Sequence, residues 1–377
     1  MARLKVFLKR QGCFKNDFNT FGYQSSPIVP AAFDDASNFD MKHAISKVYI
    51  ALFLLLCLLP SLGILVFGES GAAANEILSP RPRWGWEMLS QTADYLADHF
   101  ALRQPMVALW SRLNAALGHS TDEQVLLGRE GWLYYSPSLP DYLGEHLEDS
   151  ELEQIARNLA KLQQQCEESG RQFLFTVAPN KNSLYPEYMP AWATNGHEQA
   201  NSVRLRPLLE QYGVPYADLF ALDMPYYRTD THWTAEGAAI GADAILGALG
   251  RESGYAARRF TTEGRHVGDL YEMLYPGASG AEAAVVDTTG FSYEALGKLN
   301  GGNALTIRTQ NPTGEGSLFC WRDSFGIALY PYLAEDYAEA VFSRSTDYRL
   351  PEGDWDTLIL EIVERNLPNL LDIPMED

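Results

Sequence analysis

The longest apolar run in the chain is 48–68, VYIALFLLLCLLPSLGILVFG, 21 residues without a charge. A helix needs about 20 such residues to cross a bilayer, so this segment is expected to be a transmembrane helix. Lys42, His43 and Lys47 precede it and Glu69 follows. Positive charge is retained on the cytoplasmic side, which places the N-terminus inside the cell and most of the chain outside it. A cleaved leader is the competing reading, with Ala72-Ala73-Ala74 as its site. Because the apolar core of a leader usually runs to about 7–15 residues, the longer run is read as a retained, single-pass signal anchor in the cell membrane. Residues 1–47 show no sustained period and are expected to be a cytoplasmic segment with no fold of its own. MKHAISKVYIALFLL would itself be an ordinary start for an anchored protein, which makes Met41 an alternative initiator.

Beyond the anchor, 69–122 reads as a Pro- and Arg-containing linker, NEILSPRPRW, followed by two short helices interrupted at Pro105. From 123 to 377 the pattern becomes that of a folded domain. QVLLGREGWLYY is two strand-like runs around a Gly-containing turn. Helical periodicity over 152–166, 201–212 and 234–249 then alternates with the apolar runs QFLFTVAP and VPYADL, with Thr234 placed to cap the third helix. SLFCW, a helical FGIALYPYL, the strand-like AEAVFSR and TLILEIV complete the series. Strands alternating with helices predict a three-layer α/β domain with a mainly parallel sheet. Only 253–315, irregular and rich in Gly and Thr, resists this reading.

Charge narrows the partners. The formal net charge is −20, and beyond residue 47 there are 22 basic against 45 acidic residues, a net of −23. Such a field repels a polyanion, which excludes nucleic acid as a partner. The four cysteines have no C-x-x-C spacing, so neither a zinc knuckle nor a dithiol site is suggested. Cys166 and Cys320 are read as two buried thiols, a disulfide between them being the alternative.

The candidate chemistry lies at two points. Ser324 directly follows the strand SLFCW-Arg322-Asp323 and precedes a helix, the turn at which parallel-sheet enzymes present a nucleophile. A serine hydroxyl needs a base to take its proton, usually an imidazole held by a carboxylate, and Asp230-Thr231-His232 supplies both. Trp233 is placed to shield that imidazole from water. Ordinary readings remain beside these: Asp230 as a helix cap, Asp323-Ser324 as a plain turn. Asp and His also ligate metals, but no companion ligand stands at a suitable spacing, so no metal or other cofactor is expected.

In order along the chain, GREGWLYY, APNKNSLYPEYMP, RTDTHWTAEGA, WRDSFGIALYPYL and LILEIVERNLP resemble the DHHW proteins and the alginate O-acetyltransferase family. The resemblance implies an SGNH-hydrolase-like domain with permuted motif order, in which Asp230 orients His232, His232 is the base and Ser324 carries an acetyl group. It implies O-acetylation of an exopolysaccharide or cell-wall polymer outside the membrane, beside a membrane-bound O-acyltransferase that supplies acetyl. A carbohydrate O-acetylesterase is the first alternative, and a non-catalytic polysaccharide-binding or secretion-scaffold module the second. Arg322 replaces the Gly of the usual GDS block, and no G-x-N-D block is present, so only the Ser324 amide is evident as an oxyanion donor. Tyr330, Lys181 and Arg365 are further candidates for holding an acyl or sugar oxygen. Their ordinary readings are a core aromatic, a solvated lysine and an ion-paired arginine.

Overall fold

Strand β3 (Gln172–Ala178) and strand β11 (Thr357–Val363) are almost wholly apolar, and each is buried on both faces, as the centre of a parallel sheet requires. The computed structural model describes residues 45–55, 58, 63–64, 66–71, 78–193, 199–280, 282–297 and 304–373. Seven strands form one sheet in the order β4-β3-β11-β9-β10-β8-β7. Five of these run parallel: β4 (Tyr216–Ala217), β3, β11, β9 (Ser317–Trp321) and β10 (Glu339–Ser343). Strands β8 (Thr306–Gln310) and β7 (Glu294–Ala295) add an antiparallel edge, so the sheet is mixed rather than purely parallel.

Helices cover both faces. The odd residues of β11, Ile359 and Val363, share a core with helices α5 (Ala235–Ala248) and α7 (Gly326–Asp336). The even ones, Leu358, Leu360 and Ile362, pack with α3 (Asp149–Glu168) and α4 (Asn201–Tyr212). This alternation is the two-residue period of a strand, and it makes three layers. Thr234 caps α5, its hydroxyl accepting from the Gly237 N–H at 3.2 Å. The run VPYADL yields only the two residues of β4, because the Asp218 carboxylate accepts the Phe220 N–H and turns the chain.

Outside the sheet, β1 (Val125–Leu127) and β2 (Leu133–Tyr135) form an antiparallel hairpin. The region that resisted sequence reading contains a second hairpin, β5 (Phe260–His266) with β6 (Glu282–Asp287), with helix α6 (Asp269–Leu274) between its strands. Two helices precede the domain, α1 (Met88–His99) and α2 (Arg103–Ala116). Pro105 falls in the first turn of α2, where its missing N–H has no intrahelical partner to lose, so it starts that helix instead of breaking one. Cys166 and Cys320 are free and buried. Burial pushes the Cys166 thiol up to about 12 and the Cys320 thiol well above its ordinary value, so neither is a reactive thiolate.

Residues 45–55 are helical. The apolar run 48–68 lies partly outside the described residues, as does the segment 1–44, and among the described residues no helix is long and apolar enough to cross a membrane.

Candidate active site

The carboxyl ends of β9, β3 and β11 deliver Ser324, Lys181 and Arg365 to one edge of the sheet, the edge where α/β enzymes place their sites. Ser324 stands in the four-residue connection between β9 and α7. Asp323 fixes that connection: its Oδ1 accepts the Phe325 N–H at 2.9 Å and its Oδ2 accepts the Val363 N–H at 2.6 Å. Gly326 is needed there, since a Cβ would fall 2.6 Å from that of Arg322.

Ninety-two residues earlier, the loop between β4 and α5 brings the imidazole. A bridge between Tyr226 and Trp233, with the Thr234 N–H donating to the Pro225 carbonyl at 2.9 Å, closes residues 226–233 into a tight loop. Within it, Asp230 Oδ1 lies 2.7 Å from His232 Nδ1 and accepts the His232 backbone N–H at 3.0 Å. His232 Nε2 lies 2.9 Å from Ser324 Oγ. With the ring proton on Nδ1, shared with the carboxylate, Nε2 is left to accept from the serine hydroxyl. The three residues read from the sequence therefore form one hydrogen-bonded chain.

Burial alone would raise the Asp230 carboxyl, but hydrogen bonds from His232 and His266 overcome it and hold the group well below the usual carboxylate range. Burial also disfavours the charged imidazole of His232, yet the bond to Asp230 and the charges of Asp230 and Asp269 raise it above its ordinary value. Phe325, whose ring centroid is 4.7 Å from that of His232, shields the imidazole. Trp233 supports this wall from behind, packed edge-on against Phe325 at 5.0 Å. Its indole Nε1 is buried without a hydrogen-bond partner among the described residues.

The further candidates separate. Lys181 is not a solvated lysine: it is 4% exposed, and its Nζ donates to the carbonyls of Tyr227 and Arg228, each at 3.1 Å, and to that of Asp230. Burial lowers its ammonium to about 7. It holds the loop that carries His232 and presents no hydrogen to a ligand in the cleft. Arg365 does line the cleft with Ser324. Its guanidinium sits over the rings of Tyr135 at 5.2 Å and Phe325 at 5.5 Å, and it donates to Asn180 Oδ1 at 3.3 Å. Tyr330 does not line the cleft and packs against Tyr293 and Phe342, the core-aromatic reading. Arg322 is buried, donating to the carbonyls of Ala304 and Asp323. The Ser324 N–H has no acceptor among the described residues, which leaves it free for an oxyanion.

Three groups at the site were not singled out in the sequence. His266 Nε2 lies 2.8 Å from Asp230 Oδ2, its ring stacked on Tyr227 at 3.7 Å. Asp269 accepts the Thr231 N–H at 2.7 Å, and its Oδ2 lies 3.6 Å from His232 Nδ1. Glu282 accepts the N–H groups of Arg228 and Thr229. All three belong to the β5–β6 insertion. Asp230, His232 and Asp269 each offer a ligand atom within 4.8 Å of the others, as a metal site would. Here both Asp230 oxygens are already taken by imidazole hydrogen bonds, which describes a hydrogen-bonded relay better than a set of vacant ligands. The cleft in front of Ser324 measures about 960 Å³, with α6 and β6 on one wall and α7 on the other.

In its fold the chain is similar to SGNH-hydrolase-like domains, and comparison with known proteins finds relatives named as acetyltransferases and acetylases. Residues 125–306 match the family described as "SGNH hydrolase-like domain, acetyltransferase AlgX", a span that includes Asp230 and His232 and ends before Ser324. The chain is 27% identical over 256 residues to the probable alginate O-acetylase AlgJ of Pseudomonas fluorescens, covering 62% of this chain and 61% of that one. To the protein of the same name from Pseudomonas aeruginosa it is 29% identical over 230 residues, covering 55% and 54%. The chain thus spans a little over half the length of these curated relatives. In fold it is similar to PatB1 of Bacillus cereus, with a TM-score of 0.52 at 16% identity, covering 66% of this chain and 99% of that one. The resemblance read from the five motifs therefore holds.

Proposed function

We propose that the chain is a membrane-anchored O-acetyltransferase that modifies an exopolysaccharide or cell-wall polymer through an acetyl-Ser324 intermediate. The observation that carries this reading is the continuous hydrogen-bonded chain Asp230–His232–Ser324 at the mouth of a cleft. The names of the relatives, alginate O-acetylases, favour a polysaccharide acceptor. The 48–68 run favours an anchor with the domain outside the cell, where a membrane-bound O-acyltransferase partner would supply acetyl.

In the first half-reaction His232 Nε2 takes the Ser324 proton as Oγ attacks the acetyl carbonyl of the donor. The Ser324 N–H is the donor available to the developing oxyanion, and Arg365, which lines the same cleft, adds positive charge. Collapse expels the donor's oxygen, which receives the proton from His232, and leaves acetyl on Oγ. A sugar hydroxyl then repeats the sequence in reverse, giving its proton to His232 and taking the acetyl group. Water in its place gives acetate, the esterase outcome.

The test is to incubate the full chain with an acetyl-ester donor and map the adduct by mass spectrometry. Acetyl on Ser324 that fails to form in Ser324→Ala, and an acetylated oligosaccharide appearing on addition of acceptor, support the proposal. Free acetate as the only product favours the esterase. Absence of any adduct, with glycan binding retained by Ser324→Ala, would falsify the enzyme reading in favour of a binding module.

A further inference from the structure

Helix α2 is inside out for a helix in water. The side chains it buries are small or polar, Ala108 and Ser111. The large apolar ones face outward: Met106 is 57% exposed, Leu109 59%, Trp110 62% and Leu113 56%. With Leu102 and Leu117, also exposed, they recur at three- and four-residue spacing and form one stripe opposite Ala108 and Ser111. Just upstream, Trp84, Trp86 and Leu89 are more exposed still. A stripe of this size left open to water is a surface that expects a cover.

We propose that residues 84–117 lie in the interfacial layer of a lipid bilayer, with the α2 stripe, Trp84 and Trp86 seated among headgroups and upper acyl chains. Two features select lipid over a protein partner. Three of the chain's eight tryptophans fall in this stretch, and tryptophan is the side chain that concentrates at membrane–water interfaces. The charge also changes here. Residues 79–117 carry four Arg against three acidic residues, whereas the rest of the chain beyond residue 47 carries 18 basic against 42 acidic. An acidic domain is repelled by anionic headgroups, and this near-neutral stretch is where that repulsion is weakest; Arg83 stands beside the exposed tryptophans, while Arg81 is paired with Glu69 at 3.0 Å.

The consequence reaches the cleft. Arg112 on α2 lies over the ring of Tyr275, 5.9 Å from its centroid, and Tyr275 directly follows cleft-lining α6. A bilayer-seated α2 thus holds the α6 wall close to the membrane surface, where a membrane-embedded acyl donor would present its cargo. The lipid contact itself stands apart from the acetyl-transfer reading, since neither Ser324 nor His232 enters it; only its consequence for the cleft rests on that reading.

The test uses the full chain reconstituted in phosphatidylglycerol-containing vesicles whose acyl chains are brominated, which quenches tryptophans in contact with lipid. We expect strong quenching in the native chain and loss of most of it when W84F, W86F and W110F are combined. These rings are exposed, so the fold should survive, and far-UV circular dichroism checks that it does. No quenching in the native chain overturns the proposal, as does quenching unchanged by the triple substitution. A photoreactive side chain at position 113 supplies an independent readout: lipid adducts support the proposal, and capture of a second copy of the chain in their place overturns it.

Discussion

His266 Nε2 and Asp230 Oδ2 stand 2.8 Å apart, so a single carboxylate is shared by two imidazoles, one of which faces the serine. Each oxygen of Asp230 is thereby held from a different side. His266 comes from the far end of β5, braced by the Tyr227 ring, and is linked to Ser324 through Asp230 and His232. It is a positioning residue by this geometry. We expect His266→Ala to lower kcat by roughly 10–100-fold with KM little changed, as for other groups that orient a reacting partner. His266→Gln, which keeps a donor at similar reach, should recover much of the loss. An alanine variant with native kcat would show that Asp230 needs no second partner.

Asp269 adds to Asp230 in setting the pH at which the base works. Its Oδ2 is 3.6 Å from His232 Nδ1, and its charge is one of those that raise the imidazole. His232 must be neutral to accept the Ser324 proton, so activity should rise with pH through a value above that of a free imidazole. Removing the negative charge weakens the hold on the imidazolium, and Asp269→Asn should therefore move the acid limb of the kcat/KM profile to lower pH. If the limb stays where it is in the native chain, Asp269 is not felt at His232.

Much of this site was legible because its main parts are local in sequence. Asp230 and His232 are two residues apart, and Ser324 follows its strand after only Arg322 and Asp323, so motif and placement together brought out the relay. The sheet was legible for a similar reason: β3, β9 and β11 are unbroken apolar runs, which buried parallel strands must be. What escaped is long-range. His266, Asp269 and Glu282 act by folding a hairpin back over residues 227–232, and no period or motif in 253–315 signals that return. Lys181 stood in a motif, but its burial under three carbonyls depends on how a loop 46 residues later closes over it. Tyr330 failed for a simpler reason, since its neighbour Pro331, not Tyr330, is on the cleft face of α7.

Lys181 is expected to matter to the fold before it matters to chemistry. Lys181→Met keeps the stem's bulk but leaves the buried carbonyls of Tyr227 and Asp230 without this donor, while that of Arg228 keeps the Leu133 N–H. Each unsatisfied acceptor costs about 1–3 kcal/mol, so a loss on the order of 3 kcal/mol is expected in denaturant unfolding. The pH dependence has a definite sign. Burial lowers the native ammonium to about 7 against 10.5 for the free side chain. Between those values the unfolded chain binds the extra proton, and this group makes the fold more stable as pH rises. The stability difference between native and Lys181→Met chains should accordingly widen from pH 7 towards 10; a difference that is flat with pH contradicts the burial argument.

Two glycines with opposite surroundings test how tightly the β5–β6 insertion grips the His232 loop. At Gly268, just before α6, an added Cβ would run into the backbone of Thr229 and Asp230, so the two segments can approach only because no side chain intervenes. Gly268→Ala should push α6 and the Asp230 loop apart, costing on the order of 2–3 kcal/mol of stability, as overpacking does, and lowering kcat through the displaced relay. Gly247, near the end of α5, is exposed, and a Cβ there would meet nothing within 4 Å. Gly247→Ala removes backbone freedom from the unfolded chain and should stabilise the protein by about 0.5–1 kcal/mol with activity unchanged. Thermal unfolding and initial rates on the two variants separate the cases. Equal behaviour of both would mean that the loop and α6 part without consequence, and that the relay is held in place by Lys181 and the Tyr226–Trp233 bridge alone.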